Sequence, residues 1–337
     1  MNSLIMKKKN IWLAALLYFF CIFAFGCGST VQKSDEKVLY SVVDSKGTTV
    51  DFSAKPQRIL TLSMATDQIV LGMVTTDKLV AVNALLDDPT TSNIAPLGRK
   101  VERKITNPSA EEIFSLRPDV VIVPDWGAID QVDILRELGL KVVVVEGAKS
   151  ITEVKDSIQI IAAALGEPEK GNELLSLMDQ ELADVEKKVA LIPQDERKRM
   201  LLISVMTSYG GIGSSFDDAC KYAGVINGAA AEGLHTGQPL TKEMIVKINP
   251  DILLLPAYNN HGGFDVKAFN DGYLLDPSLQ TIKAIQQKAI MYPREDYIYN
   301  NSQDIVFAVR EIARCAYGEV FAFPDNVHLS VSGEKNE

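Results

Sequence analysis

Two stretches of this chain repeat each other. Glu111 to Pro124 reads Glu-Glu-Ile-Phe-Ser-Leu-Arg-Pro-Asp-Val-Val-Ile-Val-Pro, and Glu243 to Pro256 reads Glu-Met-Ile-Val-Lys-Ile-Asn-Pro-Asp-Ile-Leu-Leu-Leu-Pro. The leading Glu, the Ile two residues on, the Pro-Asp pair and the final Pro coincide at an offset of 132 residues. A helix stopped by Pro-Asp and followed by a buried strand is an ordinary αβ connection. That accounts for the Pro-Asp and the apolar run. It does not require Glu at the same helical position twice, nor Pro at both strand ends. The repeat therefore predicts two halves of one topology. Paired α/β halves create a cleft where the carboxyl ends of their sheets face each other, and ligands bind at such ends.

Strands and helices alternate through both halves, which implies βαβ units and mostly parallel sheets. Between the halves, Lys170 to Leu191 is a long amphipathic helix, with Leu174, Met178, Leu182, Val185 and Val189 at three- and four-residue steps. The expected fold class is α/β: two lobes with mostly parallel sheets joined by a single long helix. The expected organisation is a signal peptide over 1–26 and a tether over 27–37. An N-terminal lobe follows over 38–168, then the connecting helix over 169–192, a C-terminal lobe over 193–325 and a polar tail over 326–337.

The N-terminus reads as an address. Lys7, Lys8 and Lys9 precede an apolar run of 15 residues, Ile11 to Phe25, and Gly26 then precedes Cys27. At ~1.5 Å per residue such a run reaches ~22 Å, short of the ~30 Å hydrocarbon core, so an export signal fits better than a membrane span. Ala24-Phe25-Gly26-Cys27 resembles a bacterial lipobox, with Cys27 as the lipidated first residue. The polar stretch Ser29 to Lys37 would tether the body to the membrane.

Removing residues 1–26 leaves 31 basic and 44 acidic residues. That balance argues against a nucleic-acid partner, because such affinity comes from neutralising phosphates. Four Cys with no CxxC spacing do not make a disulfide framework or a zinc site. Cys220 and Cys315 remain in the exported body, where a disulfide is permitted but small buried apolar roles are common.

Several features together resemble the extracytoplasmic solute-binding proteins that serve ABC importers of vitamin B12, ferric siderophores and haem. They are Pro56-Gln57-Arg58-Ile59-Leu60-Thr61-Leu62-Ser63, Leu71-Gly72, Asp217-Asp218 through Asn227, and both Glu-to-Pro-Asp copies. The resemblance implies a class III periplasmic-binding-protein-like fold, import rather than catalysis, no cofactor, and a monomer. It also implies three partners: a metal-chelate ligand, an ABC permease with its ATPase, and the membrane through the lipid on Cys27. In the vitamin B12-binding member, one acid on each lobe docks the permease, and Glu111 and Glu243 match those positions. Two separated carboxylates fix register against a basic dimeric partner, although a Glu in a first helical turn also simply favours the helix dipole.

Cleft residues should follow strand ends. The expected ligand set is Met64, Asp125, Trp126, Tyr209, Tyr258, Asn259, His261 and Tyr297. Aromatic rings and amides suit a large, flat, partly apolar ligand such as a corrinoid, a ferric siderophore or haem. Trp126 also matches a Trp of the vitamin B12-binding member. Arg294, Lys221 and Lys267 are the cations an anionic siderophore would draw on. His235 and His261 with Asp125 or Glu232 offer metal-ligating chemistry, but scattered His rarely form a site and no metal is expected. The alternatives are an envelope α/β enzyme such as a chelatase using His261 and Asp125, and a structural or sensory protein with an empty cleft. No catalytic motif spacing supports the enzyme.

Overall fold

The structure is a computed structural model that describes residues 37–147, 149–206, 208–257 and 263–337. Everything below concerns the body from Val38 onward. The expected export signal, Cys27, Tyr258, Asn259 and His261 lie outside the described residues.

The chain opens with a hairpin, β1 (Tyr40–Val43) and β2 (Thr49–Phe52), paired antiparallel. Then come β3 (Ile59–Thr61), helix α1 (Met64–Leu71), β4 (Leu79–Asn83), β5 (Lys104–Ile105), α2 (Ala110–Ser115), β6 (Val120–Pro124), α3 (Val132–Glu137), β7 (Val142–Val145) and α4 (Ile151–Ala164). Helix α5 (Pro168–Val189) runs for 22 residues, about 33 Å. The second half follows: β8 (Arg199–Leu202), α6 (Ser215–Tyr222), β9 (Ile226–Asn227), α7 (Lys242–Ile248), β10 (Ile252–Leu254), α8 (Val266–Leu274), β11 (Ile290–Met291) and α9 (Ile305–Tyr317).

The first half carries a five-stranded parallel sheet in the order β5-β4-β3-β6-β7. The second carries a four-stranded parallel sheet in the order β11-β10-β8-β9. In each, the sheet's first strand in chain order, β3 or β8, lies inside the sheet and the chain winds outward on both sides of it. Each sheet therefore has a switch in strand order beside its first strand, where α/β sheets leave a crevice at the carboxyl ends.

The sequence repeat has a physical reason at both copies. Asp119 Oδ2 accepts the backbone N–H groups of Gln57 (2.8 Å) and Arg58 (2.9 Å), and the Asp119 N–H donates to Arg58 O. In the second copy, Asp251 Oδ2 accepts from Arg199 N (2.9 Å) and the Asp251 N–H donates to Arg199 O. Each Pro-Asp carboxylate thus satisfies backbone donors at the start of its sheet's first strand and sets the neighbouring strand against it. Arg117 (φ 50°) and Asn249 (φ 46°) turn left-handed just before each Pro, ending α2 and α7. The Arg58 side chain donates to Leu116 O (2.6 Å) and Arg117 O (2.9 Å), taking up carbonyls at the end of α2.

Helix α5 buries Gly171, Leu174, Met178, Leu182, Val185 and Val189, a stripe at helical spacing. It packs against α4 of the first half and α9 of the second. One continuous apolar cluster includes this stripe, Ile59, Val120 and Val143 of the first sheet, and Met200, Ile252 and Leu254 of the second.

Residues 326–337 are not a free polar tail; they form a strap along both halves. His328 is buried, and its Nδ1 lies 2.7 Å from Asp304 Oδ2. The Leu329 N–H donates to Asp304 Oδ1 (2.8 Å), and the Val331 N–H to Gly72 O (2.7 Å). Glu334 accepts from Thr76 N (2.7 Å) and meets Lys100 at 3.2 Å. Beneath the strap, Asn93 Nδ2 donates to Asp304 Oδ2 (2.7 Å), and both Gln68 and Asn300 donate to Asn93 Oδ1. Gly72 makes room here, since a Cβ on it would stand 2.6 Å from Gln303 Nε2. Cys220 and Cys315 are buried free thiols.

Two expected outcomes follow. His328→Ala removes a partner of the buried Asp304 and should cost about 1–3 kcal/mol, read as a lower urea midpoint at constant slope. An unchanged midpoint would mean that the strap does not brace the fold. The second concerns Asp67, which is buried between α1 and β4. Burial pushes its carboxyl up from 3.8 to about 8, against the lowering effect of hydrogen bonds from the Thr61 hydroxyl and the Asn83 N–H. The folded value lies above the unfolded one. Asp67 therefore contributes stability that is complete below the unfolded value and lost as pH rises through about 8. Asp67→Asn keeps an acceptor for the Asn83 N–H, and the Thr61 hydroxyl can rotate to accept from the new amide, so it should flatten that loss in unfolding measured between about pH 6 and 9. A slope as steep as the wild type's would assign the pH dependence elsewhere.

Candidate functional site

The carboxyl ends of β3, β6 and β7 converge on a small recess of about 20 Å³, lined by Ser63, Thr66, Trp126, Glu146 and Gly147 among others. Ser63 caps α1, its Oγ accepting the Thr66 N–H at 3.2 Å. Trp126 is 55% exposed and stands on Gly147, where a Cβ would lie 2.3 Å from its Cδ1. Glycine at 147 is thus what lets the indole lie against the loop. Asp125 pins the same loop: its Oδ1 accepts the Gly147 N–H (2.7 Å) and its Oδ2 meets Lys46 Nζ (3.0 Å). Partial burial works against the Asp125 charge, but the Lys46 and Gly147 hydrogen bonds outweigh it and hold the carboxyl below its usual range.

The second half has a larger recess of about 200 Å³ at the carboxyl end of β8. Its walls include Ser204, Met206, Tyr209, His235, Phe269 and Tyr273. Tyr209 hydrogen-bonds Ser215 Oγ at 2.9 Å and tilts against Tyr299, ring centroids 5.3 Å apart. Phe269 and Tyr273 sit one turn apart on α8, their rings also 5.3 Å apart. Rings supply the area and a few polar atoms the direction, a lining suited to a sizeable, mainly apolar ligand.

The tripeptide Tyr299-Asn300-Asn301 links the two recesses. The Tyr299 hydroxyl donates to Ser204 Oγ (2.9 Å), a wall residue of the larger recess, while Asn301 lines the smaller one. Two residues of chain span at most ~7 Å, so the Tyr299 backbone lies beside the smaller recess while its hydroxyl braces a wall of the larger one.

Of the expected ligand residues, Trp126 and Tyr209 line these recesses. Asp125 lies beneath Trp126 and is spent on its own loop. Met64 begins α1 half-buried and packs toward the core. Tyr297 is a correction: it is fully buried between Phe307 and Phe323 and donates to Val327 O of the strap (3.2 Å). The one-turn helix Glu295–Ile298 that carries it turns this ring and Ile298 inward. Arg294 is likewise engaged, bound to buried Glu311 and stacked 3.6 Å over the Phe323 ring. Ser204, Met206, Phe269, Tyr273 and Asn301 were not anticipated. Phe269 and Tyr273 at an i, i+4 spacing carried the one readable signal. Among the described residues no group of three or more His, Cys, Asp or Glu could hold a metal ion.

Glu111 and Glu243 occupy equivalent exposed positions in the first turns of α2 and α7. Ser109 and Thr241 cap these helices through the N–H groups of Glu112 and Met244. Each Glu carboxyl is held below its usual range by its own backbone N–H and by the capping hydroxyl. Both positions therefore carry a negative charge at neutral pH.

The chain is 26% identical over 332 residues to an uncharacterised ABC transporter substrate-binding lipoprotein of Bacillus subtilis (strain 168), spanning 94% of this chain and 99% of the relative. The periplasmic haem-binding protein RhuT of Roseiflexus sp. RS-1, in apo form, matches with a TM-score of 0.63 at 22% identity, over 77% of this chain and 99% of that one. The molybdate-bound MolA of Haemophilus influenzae matches with a TM-score of 0.67 at 17% identity, over 82% and 91%. At such identities the two structures establish a shared fold. The periplasmic binding protein family model matches residues 59–297, from β3 of the first sheet past β11 of the second. With two parallel-sheet lobes, one connecting helix and ring-lined recesses at the strand ends, the chain belongs to the periplasmic binding protein family, whose members bind solutes rather than catalyse reactions.

Proposed function

We propose that the chain is the extracytoplasmic solute-binding component of an ABC importer and that it captures a flat metal chelate, of the haem or corrinoid kind, between its lobes. The observation that carries the ligand class is the recess of about 200 Å³ walled by Met206, Tyr209, Phe269 and Tyr273, with the exposed Trp126 at the neighbouring recess. A compact oxyanion such as the molybdate bound by MolA calls for a tight cage of donors, whereas these walls are mainly rings. An anionic siderophore calls for free cations, and Arg294 is committed to Glu311 and Phe323. The haem-binding RhuT, which shares the fold, is consistent with a tetrapyrrole.

Export on the N-terminal signal, a lipid on Cys27 and the tether to residue 37 hold the body at the outer face of the membrane, as the lipoprotein name of the Bacillus relative suggests. Glu111 and Glu243 then dock a basic, two-fold permease. The long helix, the merged core and the strap keep lobe movement on capture small.

Trp126 is the one Trp left after the signal is removed, so its fluorescence reports on the recess. Titration of the exported body with hemin and cyanocobalamin should quench it saturably for one of them, and Tyr209→Ala should weaken that binding at least ~10-fold. Saturable binding of molybdate with neither tetrapyrrole bound would reverse the ligand assignment. Glu111→Gln combined with Glu243→Gln should leave that titration intact and abolish uptake by cells. Full uptake by the double variant would remove the docking role.

A further inference from the structure

The two docking helices share more than their acids. The repeat aligns Phe114 with Val246, each three residues after its Glu. Their neighbours behave as helix geometry demands: Ile113 and Leu116 in one copy, Ile245 and Ile248 in the other, all point into the cores. Phe114 and Val246 instead stay exposed, at 48% and 38%. Residues i and i+3 are neighbours on a helix surface, with Cβ atoms ~5–6 Å apart. Each lobe therefore presents a carboxylate and an apolar side chain side by side on one short helix.

Each pair lies on a helix whose neighbour exposes apolar residues of its own. Helix α3 packs beside α2, and it and the residue after it expose Ile134 (50%) and Leu138 (41%). In the second lobe Leu275 is 71% exposed next to Asp276, the ion-pair partner of Lys242 on α7. The two units differ in the size of the anchor, Phe114 against the smaller Val246. A single exposed apolar residue needs no explanation, but the same position exposed in both copies beside the same acid does.

We propose that Glu111–Phe114 and Glu243–Val246 are two-point docking units for a membrane partner that presents, twice, a basic group next to an apolar pocket, and that Phe114 is the stronger anchor of the two. This inference rests on the docking role of the two glutamates. Two equivalent units on one chain match a partner with two equivalent sites, which is a two-fold permease. The carboxylates steer approach and set register; burial of the apolar side chains slows release. The inequality of Phe114 and Val246 gives the docked complex a stronger and a weaker side.

The test uses the full exported protein and its permease–ATPase complex, purified from native membranes and held in nanodiscs. Phe114→Ser should weaken binding at least ~10-fold and Val246→Ser about 3-fold, mainly through faster release, since each loses buried apolar area and the smaller Val246 has less to lose. Those losses should persist at high salt, whereas the losses from Glu111→Gln and Glu243→Gln should shrink there. Phe114→Leu should restore most of the affinity. Unfolding midpoints and hemin or cyanocobalamin titrations serve as controls and should match wild type. If both Ser variants bind like wild type while the Gln variants do not, this inference falls and the acid docking stands. If the Gln variants also bind like wild type, the docking reading itself falls.

Discussion

The apolar stripe of the long helix is what the rest of the molecule depends on. Leu174, Met178, Leu182, Val185 and Val189 contribute to one cluster that continues into both sheets. Two α/β halves with separate cores and a polar connector would move as beads on a string. Here the helix belongs to both interiors, so rotating one half about it would expose apolar surface at ~25 cal/mol per Å². The strand ends, and with them the recesses, are held in a set relation by packing rather than by a hinge.

The polar layer beneath the strap serves the same end by different chemistry. Gln68 and Asn93 come from the first half, Asn300, Gln303 and Asp304 from the second, and His328 from the strap. Buried polar groups of this kind are costly unless paired, and each pairing here has a direction, so the network selects one relative placement of the halves. Apolar packing alone would tolerate small slides.

Much of the fold was legible because its signals are local. The repeat, the Pro-Asp stops and the 3.6-residue stripe lie within windows of about 20 residues, and the physics behind each acts within that window. The Asp119 and Asp251 contacts add a reason the sequence could only hint at: the same carboxylate tends the start of the first strand in each sheet. The strap was illegible for the opposite reason. Glu334 meets Thr76 across 258 residues, and the alternation Val327, Leu329, Val331 is too short to tell a solvated tail from a strand-like strap laid against the core. The site was legible in half measure. Strand ends pointed to Trp126 and Tyr209, but not to the aromatic turn of α8 that completes the larger recess, because α8 reaches it through tertiary packing. Tyr297 and Tyr299 are two residues apart, yet one serves the core and the other braces Ser204.

That last pair shows how capture can reach the frame. Tyr299 supports the larger recess, Asn300 joins the buried polar layer through Asn93, and Asn301 lines the smaller recess. Three consecutive residues therefore touch both recesses and the layer that positions the halves. On the proposed function, a ligand pressing on Tyr209 would act on Tyr299 through their tilted rings. From there the chain leads at once to Asn93 of the other half. On that proposal the route is short, and it would carry a small adjustment of side chains and loops rather than a swing of one lobe. Recognition by a partner that touches both lobes is sensitive to such small changes, because two separated contacts must fit at once.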